Sequence, residues 1–428
     1  MSAEFAKSVV QDLTSAGFIA YWAGGCVRDL LRGVTPNDYD VATNARPDQI
    51  RELFGHRRTL AVGEQFGVVI VLGARGSGES IEVATFRSEG EYLDGRRPES
   101  VSFTTPEEDA QRRDFTINGM FYDPLTDTVH DYVNGQADLQ NRIIRAIGIP
   151  RQRMTEDKLR LMRAVRFAAA FEFELEPETA LAVREMASQL RVVSVERIAQ
   201  ELRKMLGSRT RATAMRLTEE LGLLSQIFPA VVRHSLEPKP ERWSQLLKIL
   251  DEIETSHFET ALAVVLRDLP VEKQTSRKQP LTESASAVCR QLKLSNDEID
   301  RVSWLTAHQS RLPLLMAEPI SSLKRLAATP LWDELLKIEE ATCKVEGGDL
   351  EVFDQLRQRL AAIPPDELNP PPLLNGNDLR KLGLQSGPDF KVWLHAVRDA
   401  QLNGEIATHE AALEFVSRLA SGRVPPHR

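Results

Sequence analysis

"AGGCVRDLLRGVTPNDYDVAT", residues 23–43, sets two adjacent glycines ahead of an Arg-Asp step and closes on two aspartates one residue apart. If "DYD" is a strand, alternation puts Asp38 and Asp40 on one side of the sheet and Tyr39 on the other. Two carboxylates held side by side repel unless a cation lies between them. Hard oxygen ligands at this spacing suit Mg²⁺, which keeps much of its water and takes one or two carboxylates plus phosphates. Gly24 and Gly25 let backbone N–H groups come close to a phosphate. Arg28, one turn into the following helix, reaches the same anion. The order of these parts predicts a site that holds a nucleoside triphosphate against a metal.

A third carboxylate stands further along. In "IEVATFR", residues 81–87, Glu82, Ala84 and Phe86 share one strand face and Val83, Thr85 and Arg87 the other. Glu82 is then an acid on an apolar face, where an unpaired charge costs several kcal/mol. A neighbouring metal accounts for it, and so does a salt bridge or a strand-edge position.

The rest of the chain bounds the class. It has 428 residues, 42% apolar and 27% charged, long enough for several domains with a real core. No stretch reaches a membrane span, and "MSAEFAKSVVQDL" reads as an amphipathic helix rather than a signal peptide, so the cytoplasm is the expected compartment. Cys26, Cys289 and Cys343 are far apart and form neither a disulfide framework nor a CxxC zinc pattern. The formal charge of −8 hides an uneven distribution. Residues 141–216 hold 16 Lys plus Arg against 9 Asp plus Glu, a local +7 that leaves −15 elsewhere. Such an island is an electrostatic footprint for phosphates, or else a solvated helical face.

Organisation changes along the chain. Up to about residue 140, β-rich runs such as "FGVVIVLG" alternate with helical patterns and turns, predicting an α/β layer. Beyond it, "DKLRLMRAVRFAAAF", "SVERIAQELRKML", "ERWSQLLKILDEI" and "ETALAVVLRDL" read as helices, with Ser194 starting the second. A proline-rich break, "AAIPPDELNPPPLL", precedes a last helical piece. No repeat of fixed period is present.

Taken in order, "AGGCVRDLLRGVTPNDYDVAT", "VATFR", "RRDFTINGMFYD", "DYVNGQADLQNRIIRAIG", "TEDKLRLMRAVRFAAAFEF" and "SVERIAQEL" resemble the class II tRNA nucleotidyltransferase and bacterial poly(A) polymerase family over roughly residues 15–225. A looser match follows at "LLNGNDLRKLGLQSGPDFKVWLHAVRDAQLNGEI". The resemblance implies an α+β protein: a polymerase-beta-like catalytic head with a mixed sheet (1–140), then an all-helical neck (141–215), body (216–360) and tail (361–428). It implies nucleotide addition to an RNA 3′ end without a nucleic-acid template, with CTP and ATP as substrates and the tRNA 3′ end as partner.

Phosphoryl transfer of this kind is mostly positioning and charge neutralisation. Asp38 and Asp40 would ligate Mg²⁺, with Glu82 beside them. Arg113 matches the family's phosphate contact, and Asp114 and Asn118 would approach the ribose. On one helix, Asp157, Arg160 and Arg163 would follow at three-residue steps along a shared face. Cytosine and adenine each show an amino donor next to a ring-nitrogen acceptor, whereas uracil and guanine show the reverse. Asp157 with Arg160 would therefore read C and A but not U or G, a mismatch leaving polar groups unpaired at about 1–3 kcal/mol each. Arg166 matches another nucleotide contact, or belongs to a basic face for RNA.

Within the family, "GEQFG" at 63–67 looks like the CCA-adding branch, and "EYLDGRRPESVSFTTP" resembles the loop used in switching from C to A. Arg267 stands where some relatives carry a metal-binding His-Asp pair, so no hydrolase activity is expected. Trp304, Trp332 and Trp393 are expected to be packing residues. Alternatives are poly(A) addition, a CC-only or A-only specialist, a catalytically silent RNA-binding protein and a small-molecule nucleotidyltransferase.

Overall fold

The computed structural model describes residues 2–61, 67–89, 101–237, 240–270 and 284–422. All of the "GEQFG" step but Gly67, and residues 91–100 of the loop, lie outside these residues. The chain divides into two compact units, residues 1–233 with 291–293, and residues 234–290 with 294–428.

The first unit opens with α1 (Ala3–Ser15), whose first turn is capped by the Ser2 hydroxyl accepting from the Phe5 N–H. Then come β1 (Ala20–Ala23), α2 (Gly25–Leu31), β2 (Asp40–Thr43), α3 (Pro47–Phe54), β3 (Thr59–Leu60), β4 (Val68–Leu72), β5 (Ser80–Thr85), β6 (Arg87–Glu89) and β7 (Val101–Phe103). After α4 (Pro106–Gln111) and a short 3₁₀ turn (Thr116–Asn118), β8 (Phe121–Asp123) and β9 (Thr128–His130) complete the main sheet. Its seven strands run in the order β3-β4-β5-β2-β1-β8-β9. Only β2 and β5 pair in parallel, so the sheet is mixed, as expected.

Strand alternation decides which face is core. Val41, Val69, Val71, Ile81 and Val83 point to one face, where α1 covers them with Ala6, Val9, Val10 and Leu13 and α3 adds Ile50 and Phe54. Burying each such aliphatic side chain stabilises the fold by about 1.5–3 kcal/mol. The opposite face holds a smaller cluster of Ala23, Ala42, Phe86, Ala110, Phe121, Val133 and Ile147. On this same face Asp40 and Glu82 remain exposed.

The head leads through α5 (Gly135–Asn141) and β10 (Ile143–Ile144) into α6 (Pro150–Glu156), α7 (Arg160–Phe171), β11 (Glu174–Leu175), α8 (Pro177–Met186), α9 (Val195–Leu206) and α10 (Arg211–Glu220). The neck stretch is mostly helical, with one departure: β10 and β11 pair in parallel, Ile143 opposite Glu174 and Ile144 opposite Leu175. As the periodicity suggested, α9 starts after Ser194 and buries Ile198, Leu202, Met205 and Leu206.

The second unit is helical, from Pro240–Glu252 to His409–Ala420. Its C-terminal piece has a core of Leu374, Leu379, Val397, Ala412 and Val416, against which Trp393 packs. Trp332 is buried and Trp304 stacks on His308 with ring centres 4.2 Å apart. All three tryptophans thus have packing partners. No helix among the described residues is long and apolar enough to cross a membrane.

Candidate active site

The turn between β1 and α2 is built on Gly24, whose φ of +73° belongs to the region that L side chains avoid. A Cβ there would also stand 2.9 Å from Nη1 of Arg113. The Gly24 N–H donates to the Met120 carbonyl at 3.2 Å. The Gly24 amide is thus taken by the Met120 carbonyl, while Gly24 and Gly25 both line the cavity described below. The glycine supplies the turn and the room that brings Arg113 against it.

Asp40 is the first residue of β2, and Asp38 lies just before the strand. Both side chains are exposed, while Tyr39 between them is buried with its ring centre 4.7 Å from that of Trp22. The two aspartates therefore face away from the core, although strand alternation covers only Asp40. Glu82 lies directly opposite Asp40 in the parallel β2–β5 register. The expectation of a buried acid on an apolar face is not met. Glu82 is exposed, because its face is apolar only where Ala42 and Phe86 are covered. Nor is it at a strand edge, since β5 lies between β4 and β2.

Crowding by protein atoms, then the Glu82 and Asp38 charges, push the Asp40 carboxyl up to about 6 against the opposing pull of Arg113. A cation would relieve that repulsion. Burial pushes the nearby Cys26 thiol up to about 11, and the donors exposed beside it are the carboxylate oxygens of Asp38, Asp40 and Glu82. Among the described residues no group of three or more His, Cys, Asp or Glu side chains is placed to hold a metal ion by itself. Asp40 and Glu82 are sheet neighbours and Asp38 lies just before the strand, an open set that suits an ion completing its shell with water and phosphate oxygens.

Beside them runs a chain of charge-assisted hydrogen bonds. Arg28 is held two-handed by Asp29 at 2.9 and 3.0 Å and donates to Asn118 Oδ1 at 2.6 Å. The Asn118 amide donates to Asp114 Oδ1 at 3.1 Å, and Arg163 of α7 donates to Asp114 Oδ2 through Nε at 2.8 Å and again through Nη2. Burial alone would raise the Asp114 carboxyl. Arg163, then the Asn118 hydrogen bond, outweigh it and hold the group down at about 2.

The neck residues depart from the expected helical face. Asp157 is extended (φ −138°, ψ 108°) at the end of α6, and α7 begins only at Arg160. Asp157 accepts from the Leu159 N–H at 3.0 Å in the turn before α7, and its carboxylate pairs with Arg197 rather than Arg160. Arg160 is buried and donates to Glu156 at 2.5 Å, to the Arg153 carbonyl at 2.9 Å and to the Arg112 carbonyl at 3.1 Å. The helix break still turns Asp157, Arg160 and Arg163 toward one space. They line an open cavity of about 400 Å³ together with Gly24, Gly25, Arg28, Asp40, Arg113, Asp114 and Asn118. Asp38 and Glu82 do not line it. Arg166 does not either: its guanidinium is paired with Glu201 at 2.5 Å and lies 4.0 Å from the Phe167 ring centre.

Much of the basic island is likewise neutralised within the protein, by Arg145–Asp138, Arg151–Glu185, Arg153–Glu156 and Arg163–Asp114 among others. Four cavity residues escaped the sequence reading: Arg112, Leu159, Phe167 and Arg197. All four lie inside quoted motifs, Arg112 in "RRDFTINGMFYD", Leu159 and Phe167 in "TEDKLRLMRAVRFAAAFEF" and Arg197 in "SVERIAQEL", so the signal was motif membership rather than residue chemistry. Asp109, buried beneath Arg112 and Arg113 and ion-paired to both, left none.

Comparison with known proteins fits this geometry. Residues 20–145 match the family described as the poly A polymerase head domain, and residues 172–234 the one described as a probable RNA and SrmB-binding site of polymerase A. A CCA-adding enzyme from Streptococcus mutans is 34% identical over 96% of both chains. Poly(A) polymerase I of Salmonella typhi is 41% identical, over 55% of this chain and 52% of its own. The crystal structure of the Bacillus stearothermophilus CCA-adding enzyme in complex with CTP superposes with a TM-score of 0.72, at 28% identity over 99% of both chains. The chain belongs to the family of CCA-adding enzymes and bacterial poly(A) polymerases. Nucleotidyltransferases of this family use divalent metal ions.

Proposed function

We propose that this chain adds C, C and A to the 3′ end of tRNA from CTP and ATP, without a nucleic-acid template. The observation that carries the reading is the single cavity in which Asp40 and Arg113 of the head meet Asp157 and Arg160 of the neck. Chemistry at one end and base recognition at the other then act on one nucleotide. End-to-end similarity to CCA-adding enzymes, against about half-length similarity to a poly(A) polymerase, supports CCA over poly(A) addition.

In this reading Asp38 and Asp40, with Glu82 beside them, hold Mg²⁺, which when bound neutralises the triphosphate and makes the RNA 3′-hydroxyl a better nucleophile. Arg113, fixed through Nε and Nη2 by Asp109 and donating from Nη1 to the Asn118 carbonyl at 3.4 Å, would turn that last contact toward the triphosphate. Asp114 and Asn118 face the ribose, and Arg28 and Arg163 lock that pair in place. Asp157 accepts from the amino group of C or A while Arg160 donates to the adjacent ring nitrogen. Uracil and guanine would set donor against donor and acceptor against acceptor. Arg166 braces α7 against α9 through Glu201 rather than touching nucleotide. Residues 1–140 act as head, 141–215 as neck, 216–360 as body and 361–428 as tail, and the cytoplasm is where such an enzyme would meet its tRNA.

The test is incubation of the purified chain and Mg²⁺ with tRNA ending at the discriminator base, CTP and ATP being supplied singly and together. Two C then one A are expected. A stop after CC would identify a specialist, and a long A tract a poly(A) polymerase.

A further inference from the structure

Asp109 sits on α4, outside the strands that carry Asp40 and Glu82, and is 1% exposed. Its two oxygens are fully used. Oδ2 accepts from Nε and Nη2 of Arg113 at 3.1 and 2.9 Å, and Oδ1 accepts from Nε of Arg112 at 2.8 Å and from the Arg87 N–H at 3.1 Å. One buried carboxylate thus carries two guanidiniums that both line the cavity.

The two arms reach different neighbours in that lining. Arg113 lies over the Phe121 ring, 4.9 Å from its centre, and against Gly24, on the side of Asp40. Arg112 ends α4, and its carbonyl accepts from Nη2 of Arg160 at 3.1 Å. A guanidinium gripped through Nε and one Nη has a fixed plane, so its remaining edge points one way. Without the carboxylate, two cations packed side by side would repel and turn apart.

We infer that Asp109 is a positioning residue that sets both ends of the nucleotide site at once: Arg113 for the triphosphate, and Arg160, through the main chain of Arg112, for the base. The inference rests on the reading of the site under Proposed function. It adds that selectivity and triphosphate affinity share one buried support.

The experiment uses the full chain with Asp109→Asn, which keeps the shape and removes the charge. Incorporation on tRNA ending at the discriminator base is measured for CTP against UTP, inorganic tripolyphosphate serves as a competitor, and tRNA affinity and Tm serve as controls. The expected result is a KM for CTP and an inhibition constant for tripolyphosphate each raised ~10-fold, CTP-over-UTP preference reduced ~10-fold, and tRNA affinity within ~2-fold of wild type. In an Arg113→Ala background the tripolyphosphate effect of Asp109→Asn should vanish, because its route has gone. A merely structural role would lower kcat with KM, tripolyphosphate inhibition and base preference unchanged, and that result would overturn the inference. Should Asp109→Asn not fold, Arg112→Gln tests the second arm: reduced CTP-over-UTP preference at unchanged tripolyphosphate inhibition supports it, and unchanged preference overturns it. Failure of the wild-type chain to incorporate CTP would count against the proposed function, whereas the wild-type-to-variant comparison bears on Asp109 alone.

Discussion

Asp157 and Arg197, 40 residues apart in sequence, are joined by two hydrogen bonds of 3.1 and 2.6 Å, one to each carboxylate oxygen. The same Asp157 oxygen that takes the longer bond also accepts from the Leu159 N–H. A half-buried carboxylate fixed from two sides can serve as a ruler for a base edge only while both partners hold it.

Arg197→Ala should therefore free the Asp157 carboxylate to rotate. The expected outcome is a ~10-fold loss of preference for CTP over UTP, with Arg197→Lys intermediate because an ammonium cannot grip both oxygens in one plane. Competition between the two triphosphates on one tRNA measures this directly. A ratio within ~2-fold of wild type would show that Asp157 needs no such brace.

Asp40→Ala should reduce incorporation by at least ~1000-fold while tRNA affinity stays within ~3-fold. Removing one of three crowded acids also relieves repulsion, so Tm should hold or rise. Single-turnover assays beside filter binding separate the two effects. Normal turnover would show that the metal assignment is wrong.

Gly24→Ala should destabilise the first unit by about 1–3 kcal/mol, since it forces a side chain into positive φ. It also sets a methyl group 2.9 Å from the Arg113 guanidinium. The KM for CTP should rise as Arg113 is displaced, whereas Gly33→Ala, also at positive φ but with nothing within 4 Å of its would-be Cβ, should show only the backbone strain. Urea denaturation and steady-state kinetics on both variants check the difference.

Acid stability should carry the mark of Asp114. Its folded pKa of about 2 lies below the ordinary value. Its ionised form therefore contributes roughly 2 kcal/mol, present in full above about pH 4 and lost as pH falls through about 2. The stability gap between wild type and Asp114→Asn, measured by urea denaturation, should narrow steadily from pH 4 to pH 2. A constant gap would show that the pair with Arg163 has no such linkage.

The parts of the site legible in the sequence were those set by local chemistry. The glycine pair marks a turn, "DYD" turns Tyr39 inward and its neighbours outward, and Arg28, Asp114 and Asn118 fall into the cavity because short segments carry them. Three things were not legible. Glu82 looked buried because a face shared with Ala84 and Phe86 says nothing about where its cover ends. Asp157 looked helical because an Asp three residues before an Arg fits a continuous helix as well as it fits a turn between two helices. Arg166, Arg197 and Asp109 depend on partners 35, 40 and 3–4 residues away. Of these only the Asp109 spacing is local, and it becomes meaningful once burial is known.

The central claim is that side chains, not a nucleic acid, read the incoming base. A crystal structure of the full chain with CTP and Mg²⁺ tests it most directly. The cytosine amino group should lie within about 3 Å of the Asp157 carboxylate and N3 within about 3 Å of the Arg160 guanidinium, the triphosphate resting against Arg113. A cytosine turned away from residues 157 and 160 with CTP in the same cavity would contradict it.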